Sequence, residues 1–337
     1  MATFNHKSPI ILFTYNRISQ VKLVLESLQD NYYSKQSDLF IYSDGAKKNN
    51  EDIKKVSKVR NYLRKIKGFK KITLIERNKN YGLSKNIIGG VTSVLKVYPT
   101  VIVLEDDTLV NKNFLRYMND SLFLYRNYKK VASIHGYCYP ITLPRYFSDY
   151  YFIRGADCWG WATWRRAWKK FDPNGARLYK KIQDRKLINE FNFSNSHNFY
   201  KMLKNQILGI NNSWAIRWYA SAFLENMLTL YPKKSFVKNI GFDSDATHKN
   251  NFFYYNAKFN LKYRKPKLLN IVENSLAKNR IKSFFVKQRY LRTFRFLEYK
   301  ITNILKFFLS SFIFNNNFNI YYSNPIKFNI FITDVKK

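Results

Sequence analysis

Val101-Ile-Val-Leu104 runs without a break into Glu105-Asp106-Asp107. Four apolar residues in a row, three of them β-branched, suit a strand covered on both faces in a parallel sheet. Such a strand needs helices above and below it, which points to an α/β fold. The three acids would emerge at the strand's carboxyl end, where ligands of open α/β sheets bind. Adjacent carboxylates repel unless something positive lies between them. A hard divalent cation, Mn²⁺ or Mg²⁺, bridging to a diphosphate fits that need. The alternative is a solvated acidic turn that caps the following helix, since Asp is also a favoured N-cap.

The flanking sequence repeats the alternation. Pro9–Tyr15 reads as a first buried strand, with Asn16-Arg17 at its carboxyl end. Ile18–Leu28 has helical spacing through Val21, Val24, Leu25 and Leu28. Leu39–Tyr42 is a second strand ending in Ser43-Asp44-Gly45, and Glu51–Ile66 a basic amphipathic helix. Ile72–Ile75 is a third strand. Asn80-Tyr81-Gly82 is a turn, and Ser84 would cap a helix reaching Val97. After the fourth strand, Val101–Leu104, come a helix at Asn113–Tyr125 and a strand at Val131–His135. Strands alternating with helices predict parallel βαβ units. The polar pairs after the first, second and fourth strands then share one sheet edge.

Composition bounds the partners. The chain has 337 residues, 46% hydrophobic and 18% aromatic, which excludes general disorder. Its formal charge of +37 implies an anionic partner: nucleic acid, an acidic membrane or phosphorylated ligands. Two cysteines, Cys138 and Cys158, form no disulfide framework and are expected as reduced thiols. Met1–Asn16 lacks a signal-peptide layout, and no stretch is long and apolar enough to predict a spanning helix.

All six tryptophans fall in two clusters, Trp159–Trp168 and Trp214–Trp218, with Arg165, Arg166 and Arg217 among them. Aromatic faces beside polar groups suit stacking on a sugar or a base; a tryptophan-rich core has the same composition. Leu230–Gly241 reads as a short strand with turns, leading to Asp243, Asp245 and His248, which could complete a metal site. Residues 249–337 carry 18 Lys and Arg against three acids, Glu273, Glu298 and Asp334. From Arg280 to Phe314 basic residues interleave with Phe, Leu, Tyr and Ile, as in a helix lying on an anionic membrane or in a helical hairpin packed on the body.

Taken in order, Phe13–Arg17, Tyr42–Gly45, Asn80–Ser84, Val103–Asp107, Cys158–Trp164, Ser213–Trp218, and Asn239–Gly241 with Thr247-His248 carry a likeness. The chain resembles bacterial sugar-nucleotide glycosyltransferases of the GT-A type, and within them cell-surface polysaccharide transferases related to the N-acetylglucosaminyltransferase I group. The likeness spans about residues 8–250. It implies a GT-A (Rossmann-like), mostly parallel sheet flanked by helices, followed here by a basic helical C-terminal extension. It also implies residue roles. Thr14, Tyr15, Asn16 and Arg17 would line the nucleotide pocket, and Asp44 would accept a hydrogen bond from the uracil or ribose. Asn80, Gly82 and Leu83 would hold the loop beside the donor. Asp107 would bind the metal, with His248 near the diphosphate and Asp106 on the ribose or the metal's waters. Trp159 and Trp161 would lie under the donor sugar or acceptor, and Arg165, Arg166 or Arg217 could add charge at the donor's diphosphate.

An inverting transferase also needs a carboxylate to take the acceptor's proton. Related transferases place one near the second tryptophan cluster, but Asn211-Asn212-Ser213-Trp214-Ala215 has none. Asp157 and Glu225 are the candidates. The expected organisation is a nucleotide-sugar half at 1–130, an acceptor half at 131–265 and a membrane-associating tail at 266–337. The expected partners are a nucleotide-sugar donor, a glycan or lipid-linked glycan acceptor such as lipopolysaccharide or capsule, and an anionic membrane surface at the inner, cytoplasmic face of the cell membrane. No nucleic acid is expected, because the basic excess lies in the tail and not on a recognition motif. A nucleic-acid-binding protein and a non-catalytic sugar-nucleotide-binding relative are the rival readings.

Overall fold

A computed structural model describes residues 7–241, 259–260 and 262–316. The elements run β1 (Ile10–Thr14), α1 (Ile18–Gln29), β2 (Asp38–Ser43), α2 (Asn50–Leu63), β3 (Lys71–Glu76), α3 (Leu83–Val97) and β4 (Thr100–Glu105). Then follow β5 (Thr108–Val110), α4 (Phe114–Leu124), β6 (Val131–His135), β7 (Tyr150–Arg154) and β8 (Trp161–Trp164). Five helices come next: α5 (Arg165–Trp168), α6 (Gly175–Asp184), α7 (Ile188–Phe191), α8 (Phe199–Ile207) and α9 (Trp214–Leu224). The last elements are β9 (Leu228–Pro232), β10 (Val237–Asn239) and α10 (Ser275–Asn316).

Eight strands form one sheet in the order β3-β2-β1-β4-β8-β6-β9-β7, and β5 pairs with β10 in a separate ribbon. β1 to β4 run parallel to one another, as the alternating pattern predicts. Past β4 the sheet is mixed: β8 runs antiparallel to both β4 and β6, and β7 runs antiparallel to β9.

Side chains along β1 and β4 alternate between two cores because successive residues of a strand point to opposite faces. Ile10, Leu12, Ile102 and Leu104 pack with Val21, Val24, Leu25 and Leu28 of α1, with Val59 and Leu63 of α2, and with Leu115 and Met118 of α4. Ile11, Phe13, Val101 and Val103 pack on the other face with Ile87, Val91 and Val94 of α3 and with Trp214 and Trp218 of α9. Burial on both faces explains why these strands read as unbroken apolar runs.

Contacts divide the chain into two units, Met1–Phe285 and Val286–Lys337. Within the first, Ala277, Ile281 and Phe285 of α10 are buried with Tyr151, Ile153, Phe193 and Tyr231. The start of the basic, aromatic stretch is therefore core rather than membrane-facing surface. In the second, the α10 backbone continues to Asn316. Among the described residues no helix is long and apolar enough to cross a membrane. Cys138 and Cys158 are both free.

Candidate active site

The strand order reverses between β1 and β4. From β1 the chain moves outward through β2 to β3, then crosses back by α3 to place β4 on the other side of β1. Ligands of open α/β sheets bind in the crevice that such a reversal opens at the carboxyl ends of the strands. Phe13 of β1 lies opposite Glu105 of β4, so Thr14–Arg17 and Asp106-Asp107 leave the sheet side by side. On the far side of β1, Thr14 pairs with Ser43, which brings Asp44 to the same edge.

At this edge Arg17 reaches across the crevice. One of its terminal nitrogens donates to Asp106 Oδ1 and to Asp107 Oδ2, the latter at 3.0 Å. Asp106 Oδ2 also accepts the Tyr15 backbone N–H at 3.1 Å. Burial alone would lower the Arg17 pKa, but the charges of Asp106 and Asp107 more than reverse this and hold the guanidinium ionised. Burial pushes the Asp106 carboxyl up, Arg17 works against that, and Asp107 adds to it. Glu105 is pushed up by burial and by both neighbouring aspartates, while Arg17 and a hydrogen bond from Trp214 oppose the shift. The cluster is thus short of positive charge.

Three helix N-termini converge on the same place. α1 begins at Ile18, directly after Arg17. α3 begins at Leu83, after Gly82, whose φ of 74° and ψ of 155° are essentially restricted to glycine. α9 begins at Trp214, capped by the Ser213 hydroxyl, which accepts from Ile216 N at 3.3 Å. Unpaired N–H groups and helix dipoles make such ends favourable to anions. Arg217 of α9 bonds Ser84 Oγ at 2.5 Å, Ser213 O at 3.3 Å and Pro173 O at 3.1 Å, so it ties α9 to the start of α3. Ser84 lies inside the first turn, and Gly82 occupies the cap position expected for it.

Asp44 is consumed locally. Its Oδ1 accepts from Gly45 N at 2.9 Å and Tyr81 N at 2.8 Å, and its Oδ2 from Gly82 N at 2.9 Å. Asn80 donates to Gly45 O at 2.8 Å, and Leu83 is half exposed. The Asp44 carboxylate expected to face a base or ribose here holds the 80–83 loop.

Asp52, on the first turn of α2, is a hub that sequence reasoning missed. It accepts from the Tyr15 hydroxyl, from Asn16 Nδ2 at 2.6 Å and from Lys47 N at 2.6 Å. Burial disfavours its charge, but the bonds from Tyr15, Lys47 and Asn16 outweigh this and lower its pKa. The available signal was Asn49 three residues earlier: its side chain caps α2 by accepting from Asp52 N at 2.8 Å.

Asp157 follows β7, its side chain 21% exposed. Its Oδ2 accepts from the Tyr139 hydroxyl at 2.9 Å and the Tyr231 hydroxyl at 3.1 Å, and its Oδ1 from Cys158 N at 2.8 Å. His135 Nε2 lies 3.9 Å from Oδ1 but accepts the Trp159 N–H at 3.1 Å; burial lowers the His135 pKa, so the ring is neutral. Burial raises the Cys158 thiol's pKa first, and the charges of Asp157, Glu105 and Asp107 raise it further.

Several expected site residues lie elsewhere. Trp161 is 1% exposed and packs against Trp168, Trp214 and Trp218, so it is core and cannot lie under a sugar. Trp159 is half-buried, edge-on to Tyr137. Arg165 donates to Leu95 O at 2.5 Å. Arg166 donates to Arg126 O, Val131 O and Tyr125 O at 2.8–3.0 Å, and burial pushes its pKa down to about 10. These two arginines cap carbonyls and add no charge to the crevice. Glu225 follows the last turn of α9, paired with Lys170 at 2.8 Å, about 16 Å of helix from Trp214.

The ribbon closes the site on one side. Ile240 N donates to Asp107 O at 2.8 Å, and a Cβ at Gly241 would collide with the Asp107 carboxylate. Asp243, Asp245, Thr247 and His248 lie outside the described residues. Among the described residues no group of three or more His, Cys, Asp or Glu side chains forms a metal site by itself.

No family model matches this chain, and no curated protein does. Solved structures do. Residues 1–349 of TarS from S. aureus align at 12% identity and a TM-score of 0.37, over 74% of this chain and 62% of that one. The mannosyltransferase PcManGT from Pyrobaculum calidifontis, in complex with GDP-Man and Mn²⁺, aligns at 15% identity and a TM-score of 0.29, over 41% and 37%. A cytidylyltransferase from Leptospira borgpetersenii aligns at 12% and 0.31, over 50% and 64%. The chain spans less than two thirds of the length of each of these structures.

Proposed function

We propose that the protein is a glycosyltransferase that moves a sugar from a nucleotide-sugar donor to a cell-surface glycan. The observation that carries this reading is the crevice between β1 and β4. A pair of adjacent aspartates, one buried and one partly exposed, an arginine able to bind phosphate, and three helix N-termini meet at the topological switch point. A diphosphate with a divalent cation supplies the charges that this arrangement lacks.

The residues fit a cation of the Mg²⁺ or Mn²⁺ kind, which binds through one or two carboxylates plus substrate phosphates and water. Asp107 would hold it, supported by Asp106; once bound, it would neutralise the departing diphosphate. Arg17 and the starts of α1, α3 and α9 orient and stabilise the same charge. Tyr15 and Asn16, fixed by Asp52, form the nucleotide wall, and Asp44 keeps the 80–83 loop folded beside it. Asp157, held in place by two tyrosine hydroxyls, is the base that takes the acceptor's proton in an inverting transfer. The acceptor is a lipopolysaccharide or capsule precursor, presented at the inner membrane face, where the basic tail associates with anionic lipid.

A panel of nucleotide sugars incubated with the full chain and Mn²⁺ or Mg²⁺ tests this reading. One donor should release its nucleoside diphosphate in a cation-dependent way. No release from any donor, with or without glycan acceptors, would overturn it.

A further inference from the structure

The Arg17 guanidinium lies where a cation shared by Asp106 and Asp107 would lie. A single terminal nitrogen bonds an oxygen of each carboxylate, and the side chain is 23% exposed, so it has a way out towards solvent. Its backbone is fixed by β1 on one side and α1 on the other, while its side chain can turn about its own bonds. Two carboxylates can share this seat with the guanidinium or with a divalent ion, but not with both. An arriving diphosphate changes the balance, because it offers the guanidinium a second, bidentate partner.

We propose that Arg17 is an exchangeable counter-cation that closes the Asp106–Asp107 seat to free divalent ions and moves to the diphosphate when the donor binds. This deepens the reading of the site as a nucleotide-sugar pocket and rests on it. Cation and nucleoside diphosphate then bind each other's complexes with the protein more tightly than either binds the free protein. By linkage the coupling is the same whichever binds first. Arg17 is thus a positioning residue that couples the two ligands. Its removal should favour the free cation, since the Asp106 and Asp107 carboxylates would be left facing one another without a counter-charge.

The test is Mn²⁺ binding by the full-length protein, read from the electron paramagnetic resonance signal of free Mn²⁺, without nucleotide and with saturating UDP. Arg17→Met, similar in length and uncharged, should bind Mn²⁺ about tenfold tighter than wild type without nucleotide, the low end of what one opposite charge in contact with a carboxylate is worth. Arg17→Lys should stay near wild type. Asp107→Asn in the Arg17→Met background should abolish the gain. Equal or weaker nucleotide-free Mn²⁺ binding by Arg17→Met, with an unchanged circular dichroism spectrum, would overturn the proposal. A second measurement needs no variant. In wild type, Mn²⁺ and UDP must bind more tightly together than separately, after correction for the complex they form in solution; simple additivity would overturn the proposal. If no nucleotide sugar is turned over, the glycosyltransferase reading fails, while the nucleotide-free comparison still decides the role of Arg17.

Discussion

The crevice between β1 and β4 and the tryptophan layer beneath α9 are built from residue types that both occur in ligand sites. They part on what packing can explain. Trp161, Trp214 and Trp218 cover β4 and α3 as apolar mass, and their burial needs no ligand. Arg165 and Arg166, in the same stretch of sequence, spend their donors on carbonyls at strand and helix ends. Apart from the bond Asp106 accepts from Tyr15 N, Asp106, Asp107 and Arg17 spend their charges on one another. Their mutual contacts only partly compensate the cost of gathering acids at a strand end. A charged group that folding does not need is better evidence of function than an aromatic one that it does.

That contrast breaks most visibly at Trp161. Trp161→Ala should cost about 3–5 kcal/mol of stability, the usual price of emptying a large buried aromatic site. Urea denaturation reads it directly. Normal stability with lost donor binding would move Trp161 from the core to the pocket. Asp107→Asn should do the reverse: nucleoside diphosphate release should fall by about 10²–10³, the scale of losing one preorganised electrostatic partner, at nearly unchanged melting temperature. Equal activity would remove the acid pair from the site. Asp52→Asn tests the border between the two classes. It weakens the anchoring of Tyr15 and Asn16 and should raise the donor KM by about tenfold, the scale of one or two charged hydrogen bonds, with kcat changed less.

The acids also set a pH dependence. Burial and the neighbouring aspartates raise the Glu105 carboxyl above its value in an unfolded chain. In the window between those two values the folded protein therefore binds more protons than the unfolded one. Stability must fall as pH rises above the ordinary carboxylate range. Glu105→Gln, which can still accept from Trp214, should flatten that fall and stabilise the cation-free protein at neutral and alkaline pH. Melting temperatures across pH 4–9 check the sign, and a fall of equal slope in the variant would assign it to other groups.

Much of the crevice half was legible because β1 and β4 are buried on both faces and β2 and β3 keep short apolar runs beside them. β1, β2, β3 and β4 appear within one or two residues of the apolar runs that predict them, and the polar strand ends share one edge, as the alternation requires. The tryptophan half was harder to read. β8 is only four residues long, alternates in neither pattern, and is inserted between β4 and β6, which are distant in sequence. No local signal announces a strand whose partners are chosen by the tertiary fold. Asp52 escaped for a different reason. A carboxylate on the first turn of a basic helix looks like an ordinary dipole partner, and only the return of Tyr15 and Asn16 to it shows its use.

Glu225 gives the smallest effect. On chain order Asp157 is the preferred candidate for the base, for its place just before the first tryptophan cluster, and Glu225 is the second. The structure separates them by environment: Asp157 is gripped by Tyr139 and Tyr231, whereas Glu225 follows the last turn of α9, away from the crevice, with an exposed lysine partner. An exposed pair of that kind contributes little, so Glu225→Gln should change stability by less than about 0.5 kcal/mol and leave turnover at the wild-type rate. Asp157→Asn, measured beside it, should reduce transfer to acceptor more than it reduces donor binding, because a base acts on the acceptor's proton and not on the nucleotide. If the two variants lose activity equally, the distance along α9 has been misjudged as a reason to prefer Asp157.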